Sequence, residues 1–530
     1  MSERARFVLL VTLALGAGLT GVELMVTAVA LPTIVHDVAD WTRLREASWI
    51  INGYLLTYAA AMPLAGRAAD RYPLPRLFLA ALAIFGAGSL LAGAAPSLEW
   101  LIGARLIQGA GGGAIVPLAR AGASHLYAGR ARERALGFVE ALTYLGMAVG
   151  PFVGAAILSG ANLSPQLDGA GLTGSTAAAL LTPAWRWCFY LGAPSAALVG
   201  LYAWAAAPAW PPLLSRSGLD LVGAGLFTLA LAAILVALTW LGAPDPLGTP
   251  EATAALVVLA ALALGLVLLR AGRIRDPFID LRTYRQPAFA GAVLVSLLTG
   301  YALATALIGA AVFVDRVLYG GPDIQRLVLG PLALAMAIGA LGAGFILRRL
   351  GAAAVGSIGL ACGAIGLGLV ALATPTTPGP QVAAALVLFG AGFGLSVTPR
   401  SAAAVEALGR QAFGRASADV AVARDIGLAI GLAVLAGFGS NRIQALSVVL
   451  TDQTARDAIL PAALKGHDLH DPFVVDVLER WAAGQAAGIL AGIFLVAAVV
   501  MLVAVLPALA MGSPEGPLPT PVGAHDGGHE

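Results

Sequence analysis

Residues 54–76 read YLLTYAAAMPLAGRAADRYPLPR, and this stretch decides how the chain is organised. An apolar helix ends in a small, charged turn punctuated by proline, and a second apolar helix begins at once. Gly66 removes a side chain where two helices can approach closely, Asp70 can face the positive end of a neighbouring helix, and Arg71 and Arg76 hold the turn on the side of a membrane where basic residues collect. The stretch predicts two membrane-spanning helices joined by a short loop that can act as a latch.

Composition extends this reading to the whole chain. Of 530 residues, 59% are hydrophobic and 11% charged, and mean hydropathy is +0.87, whereas soluble domains carry about 25% charged residues. The chain is therefore an all-α polytopic membrane protein. A net charge of +2, with the basic residues spread over short loops, gives no footing for a nucleic-acid partner. Cys188 and Cys362 fall in separate apolar runs and read as small buried hydrophobes. The run from Phe7 to Ala30 follows Arg4 and Arg6 as a signal peptide would, but its spanning length makes it the first transmembrane helix.

Apolar runs of about 20 residues, enough to cross a bilayer, place spans near 7–30, 47–66, 75–95, 100–120, 135–159 and 185–206. Two more follow near 218–241 and 252–270, then six near 287–314, 326–347, 352–373, 380–399, 415–439 and 484–510. Fourteen spans put both termini on one side. With Arg4 and Arg6 in the cytoplasm, the inner segments, among which Arg400 is counted, collect 20 basic residues and the outer ones nine. Gly344 to Gly351 repeats the spacing of Gly66 to Pro73; the first copy keeps the acid and the second the closing glycine. This repeat divides the chain into a six-helix half (1–210), two inserted helices (211–285), a second six-helix half (286–512) and a disordered cytoplasmic tail (513–530), with a substrate site between the halves at mid-membrane. Two outward segments, Ser159 to Ala184 and Gly439 to Ala483, are long; the second is amphipathic and partly helical. Its His467-Asp468-Leu469-His470-Asp471 cluster reads as a solvated loop face, with a metal site the minor alternative.

Six motifs make the chain resemble the major facilitator superfamily, and within it the fourteen-helix branch of drug:proton antiporters. The 66–76 loop is similar to that superfamily's cytoplasmic loop motif, with Pro73 in place of a glycine. Glu23-Leu-Met-Val-Thr-Ala-Val-Ala-Leu-Pro32 resembles the branch's helix-one motif, with Ala28 where an amide is usual. Trp185-Arg186-Trp187-Cys188-Phe189 resembles its tryptophan-rich start of helix six. Arg105 with Gln108-Gly109 resembles the intramembrane arginine motif assigned to proton relay; a structural anchor is the alternative. Gly146-Met-Ala-Val-Gly150-Pro151-Phe-Val-Gly154 is similar to the antiporter motif of exporters, whose small residues also suit a plain packing interface. Ala423-Arg424-Asp425-Ile426-Gly427 resembles an arginine-bearing helix near the central cavity.

The resemblance implies a proton-coupled exporter of lipophilic compounds working by alternating access, without a cofactor, driven by the proton gradient. It further implies a monomer in the bacterial cytoplasmic membrane whose partners are protons, membrane lipids and a lipophilic small molecule or lipid. An antiporter needs a carboxyl that alternates between protonated and charged forms; burial opposes ionisation and a nearby guanidinium favours it. Glu23 paired with Arg424 is the expected coupling site, and Arg105 is a further candidate for proton coupling. Glu140 is a second acid, or else a rim partner of Arg134. Asp425 beside Arg424 and Asp315 beside Arg316 read as local partners. Met25 and Ala28 suggest an apolar cavity. The branch includes mycobacterial triacylglyceride exporters, so a lipid or glycolipid exporter or flippase is the alternative. Such exporters carry an outward extension between helices eleven and twelve, where this chain has only Thr374 to Pro380. The six histidines offer no nucleophile–base pair or metal site at membrane depth, so the chain does not read as an enzyme.

Overall fold

The computed structural model describes residues 3–39, 44–127, 129–160, 169, 171, 174–206, 220–241, 249–274, 277–408, 413–466 and 471–512; the side chains of Arg67, Asp70, Arg71, Arg134, Glu140 and Arg348 are among those outside the described set. Every regular element among the described residues is a helix. In chain order the long ones are α1 (Glu3–Val38), α2 (Trp49–Arg71), α3 (Leu74–Gly93), α4 (Leu98–Leu126), α5 (Gly129–Gly160) and α6 (Ala184–Ala205). Then come α7 (Leu221–Trp240), α8 (Pro250–Ala271), α9 (Pro287–Arg316), α10 (Asp323–Leu347), α11 (Arg349–Ala371), α12 (Gly379–Leu408), α13 (Phe413–Thr451) and α14 (Pro472–Ala510).

Thirteen helices among the described residues are long and apolar enough to cross a membrane. The expected second span, α2, falls outside that group because it carries Asn52, Tyr54, Thr57 and Tyr58, of which Asn52, Tyr54 and Tyr58 are buried in the bundle. A helix that turns polar groups inward loses apolarity without losing its place. α1 packs on α5, α4 on α2 and α3, and α3 on α6; eight helices later α9 packs on α13, α12 on α10 and α11, and α11 on α14. Of α7 and α8, the helices expected as an inserted pair, α7 lies along α13, where the Leu238 carbonyl closes on Gly437, while α8 has α7 as its one substantial neighbour among the described residues. At one end of the bundle the Phe152 ring of α5 sits against Gly330, just inside α10.

Three boundaries differ from the sequence reading. α2 runs on to Arg71, because Ala68 and Ala69 favour helix; it stops only where Tyr72 (φ −116, ψ 156) is forced extended by Pro73. The repeat of this turn is made differently: Gly351, at φ +78, breaks α10 from α11 with a backbone conformation that suits glycine. α13 continues to Thr451 and α14 starts at Pro472, so both outrun the apolar stretches Asp419–Gly439 and 484–510. At 39 residues α13 is about 58 Å long against a hydrocarbon core of about 30 Å. A helix beyond the membrane need not be apolar, which is why hydropathy missed it. The extension has a small core of its own, Leu460, Val474 and Leu478, and the helix Gln453–Ile459 lies between the two long arms, so the expectation of a partly helical segment holds. Thus an extension lies between helices thirteen and fourteen, not between eleven and twelve. Residues 467–470 and the tail 513–530 lie outside the described residues; Asp471 caps α14 by accepting from the Phe473 amide at 3.0 Å.

Candidate functional site

Glu23 lies on α1 and is 3% exposed, with Thr27 donating to its Oε1 at 3.4 Å one turn on. What brings charge to it is α4. Arg105, fully buried, donates from Nη1 to Glu23 Oε1 at 2.6 Å and from Nε to the Ile50 carbonyl of α2 at 2.9 Å. The same Nη1 bonds Gln108 Oε1, and Gln108 passes its amide to Ser89 Oγ of α3 at 2.8 Å. The guanidinium carbon stands 4.3 Å from the Tyr54 ring centre and 5.4 Å from that of Phe189. An intramembrane ion pair is thereby held by α1, α2, α3, α4 and α6. Burying two charges is costly, and excellent geometry with further hydrogen bonds is what offsets it. Arg105 Nη2, the Tyr54 hydroxyl and both amide atoms of the fully buried Asn52 of α2 have no hydrogen-bond partner among the described residues.

A second buried cluster lies among α5, α9, α12 and α13. Arg424 of α13 pairs with Asp425 at 2.9 Å and reaches the Tyr144 hydroxyl of α5 at 3.4 Å. Arg400 of α12 is 2% exposed, bonds Thr299 of α9 and stands 5.1 Å over the Phe393 ring, with Tyr144 and Asp425 within electrostatic reach. Tyr54 and Tyr58, ring centres 5.4 Å apart, lie between the clusters: Tyr54 against Arg105, and Tyr58 within electrostatic reach of Arg424 and Asp425.

The expected pairing of Glu23 with Arg424 is thus replaced in this conformation by Glu23 with Arg105 and Arg424 with Asp425. The local-partner reading of Asp425 and of Asp315, which pairs with Arg316 at 3.1 Å, matches the geometry. Arg400 had been counted among cytoplasmic loop residues; the helix continues through Pro399 to Leu408 and buries it. Only its following Ser-Ala-Ala-Ala run, a good helix former, signalled that. Gly146 and Gly150 do bring α5 onto α1, since a Cβ at either would fall on Gly18 or on Met25. Gly154 is in ordinary contact. Gly66 is not a tight crossing, because a Cβ there would meet only Pro117 at 4.0 Å; the close α2–α4 approach is instead at Gly109 and Gly113, against the Tyr54 and Tyr58 carbonyls. Arg76 is exposed in the first turn of α3, and the side chains of Asp70, Arg71 and Glu140 lie outside the described residues. The tryptophan-rich segment is a clasp: Trp185 donates to Asp37 at 2.7 Å, and Arg186 donates to the Gly93 and Ala95 carbonyls at 2.8 and 2.7 Å, tying α6 to α1 and to the end of α3.

Residues 13–432 match the Major Facilitator Superfamily. The chain belongs to that superfamily. Within the Major Facilitator Superfamily it is similar to a triacylglyceride transporter of Mycolicibacterium smegmatis, 31% identical over 455 residues that cover 83% of this chain and 77% of the relative. It is also similar to the multidrug resistance protein B homolog of Mycobacterium tuberculosis, 29% identical over 450 residues covering 84% and 76%. Among solved structures, a bacterial homolog of the human lysosomal transporter Spinster, inward-facing and unoccupied, shares the fold with a TM-score of 0.64 at 18% identity, covering 97% of this chain and all of that one. This Major Facilitator Superfamily protein is a membrane transporter and not an enzyme.

Proposed function

We propose that this transporter is a proton-coupled exporter of lipophilic compounds, working by alternating access between the halves 1–210 and 286–512. The observation that carries the reading is the buried Glu23–Arg105 pair. An ionised Glu23 is compensated by Arg105; once Glu23 takes up a proton, the guanidinium loses its counter-charge and leans on Gln108, Tyr54 and the Ile50 carbonyl. The α2 backbone and Tyr54 then feel the change, and Tyr58 on the same helix faces the Arg424–Asp425 cluster of the other half. Protonation is thereby linked to the surface along which the halves move. The unpaired polar atoms of Asn52, Tyr54 and Arg105 supply stations for proton-carrying water. No cofactor enters; the proton gradient supplies the drive. Fourteen spans, cytoplasmic termini, a monomeric state and residence in the bacterial cytoplasmic membrane complete the proposal, with the 66–76 turn as its latch.

The outward extension of α13 and α14 favours a lipid as cargo over a small drug. The resemblance to triacylglyceride exporters implies an extension between helices eleven and twelve, where this chain has only Thr374 to Pro380; its extension lies between thirteen and fourteen instead, and relatives named triacylglyceride transporters, about 30% identical, support the lipid reading. Proteoliposomes with an imposed pH gradient test the reading: a fluorescent lipid and a lipophilic dye should move against their gradients only when the proton gradient is present. Transport indifferent to that gradient would remove the coupling.

A further inference from the structure

The helices α7 and α8 carry a feature that lies apart from the Glu23–Arg105 and Arg424–Asp425 clusters. α8 buries only Ala260, Ala263 and Val267, and with α7 as its one substantial neighbour it stands at the lipid-facing flank of the molecule. Between the two helices, at the end bearing Asp220, a cleft is walled by Val222, Leu226, Leu266 and Leu269 and rimmed by Arg270 and Arg273. Val222, Leu266 and Leu269 are each more than half exposed, so the apolar wall of the cleft is open on its outer side.

The rim is held rigidly. Asp220 accepts from Arg270 Nε at 2.8 Å, from the Gly223 amide at 2.8 Å and from the Phe278 amide at 3.0 Å, so its carboxylate is fully occupied and pins one guanidinium in place. Arg273, one turn beyond, is exposed and has no carboxylate partner among the described residues. Among the described residues at the rim, one carboxylate stands against two guanidinium groups, a positive charge in excess where the apolar cleft ends. Apolar walls with a cationic rim match a ligand with an acyl chain and an anionic head.

We propose that this cleft binds an acidic phospholipid, its phosphate at Arg273 and Arg270 and one acyl chain along Leu226 and Leu266. Native mass spectrometry of the detergent-purified full chain tests it, using phosphatidylglycerol and phosphatidylcholine of identical chains. Phosphatidylglycerol should be retained preferentially. Arg273→Gln should lower that preference roughly fivefold, the size expected of one basic side chain at a headgroup, while Arg273→Lys keeps it. Leu226→Trp, which fills the wall without touching charge, should reduce retention of phosphatidylglycerol as well. Equal retention of both lipids by the unaltered protein, or an undiminished preference in Arg273→Gln, would overturn the site. Displacement of the lipid by an equal concentration of glycerol phosphate would also overturn it, because the cleft would then hold an anion without using a chain.

Discussion

Arg105 reaches Glu23 across 82 positions of sequence to form a 2.6 Å ion pair whose two side chains are 0% and 3% exposed. Pairs this deeply buried are asymmetric to perturb: removing one partner strands the other charge, at a cost of about 3–5 kcal/mol, whereas removing both is far milder. Glu23→Gln should therefore lower the melting temperature and abolish gradient-driven export while lipophilic substrate still binds. The double variant Glu23→Gln with Arg105→Gln should recover most of the stability and none of the coupling, and Glu23→Asp should keep part of the activity. Full gradient-driven export by Glu23→Gln proteoliposomes would move the role to another acid, with Glu140 first in line.

Both members of that pair stood out singly in the sequence, because an acid or an arginine inside an apolar run has to be accounted for. Their pairing did not, since spacing says nothing of how α1 and α4 are rotated toward one another. The expected partner, Arg424, was already compensated by the residue beside it. The bundle itself was legible from apolar runs, and it failed where polarity and membrane depth part company: α2 is polar yet inside the bundle, and α13 runs a dozen residues beyond its apolar stretch. Arg400 was hidden by Pro399, read as the end of a helix that in fact continues two turns further.

The α1–α5 crossing depends on missing side chains. A Cβ at Gly146 would fall on the Gly18 carbonyl and approach the Val22 amide to 3.1 Å, and neither backbone can yield without parting the helices. Gly146→Val should destabilise by about 1–3 kcal/mol, as overpacked interiors do, and should suppress transport. Gly154→Ala should be nearly silent, because its Cβ would meet Val29 and Val26 at 3.4 and 3.5 Å, ordinary contact. Thermal melting of the two variants side by side checks this. Equal effects would mean that the motif acts through something other than close approach.

Asp220 gives the inserted pair a pH dependence of known sign. Burial would raise its carboxyl, but the Arg270 hydrogen bond and then the Gly223 and Phe278 amides outweigh this and hold it below the usual carboxylate range. A group depressed in the folded state contributes stability that is present above its unfolded value, near pH 4, and lost as pH falls through the folded value. Asp220→Asn should therefore melt lower than the unaltered protein at pH 7, and the two melting curves should converge as pH approaches 3. Parallel curves across that window would show that the staple carries no ionic contribution.

The Tyr144 hydroxyl of α5 touches the charged cluster of α12 and α13, 3.4 Å from Arg424 and within electrostatic reach of Arg400. Arg400 and Arg424 share one neighbouring carboxylate, Asp425, among the described residues, so the phenol oxygen is a further acceptor at a site with two guanidinium groups. In Tyr144→Phe the ring stays and the bond across the halves goes. A hydrogen bond contributes about 1 kcal/mol, which is roughly fivefold in a two-state equilibrium. The variant should thus shift the balance of access states about fivefold away from the one seen here, with little change in melting temperature, since the buried ring is kept. Spin labels at exposed positions on opposite halves, read as distance distributions, measure the populations directly. Distributions that superimpose on those of the unaltered protein would leave Tyr144 a packing residue and place the contact that holds the halves together elsewhere, with Phe152 on Gly330 the next to alter.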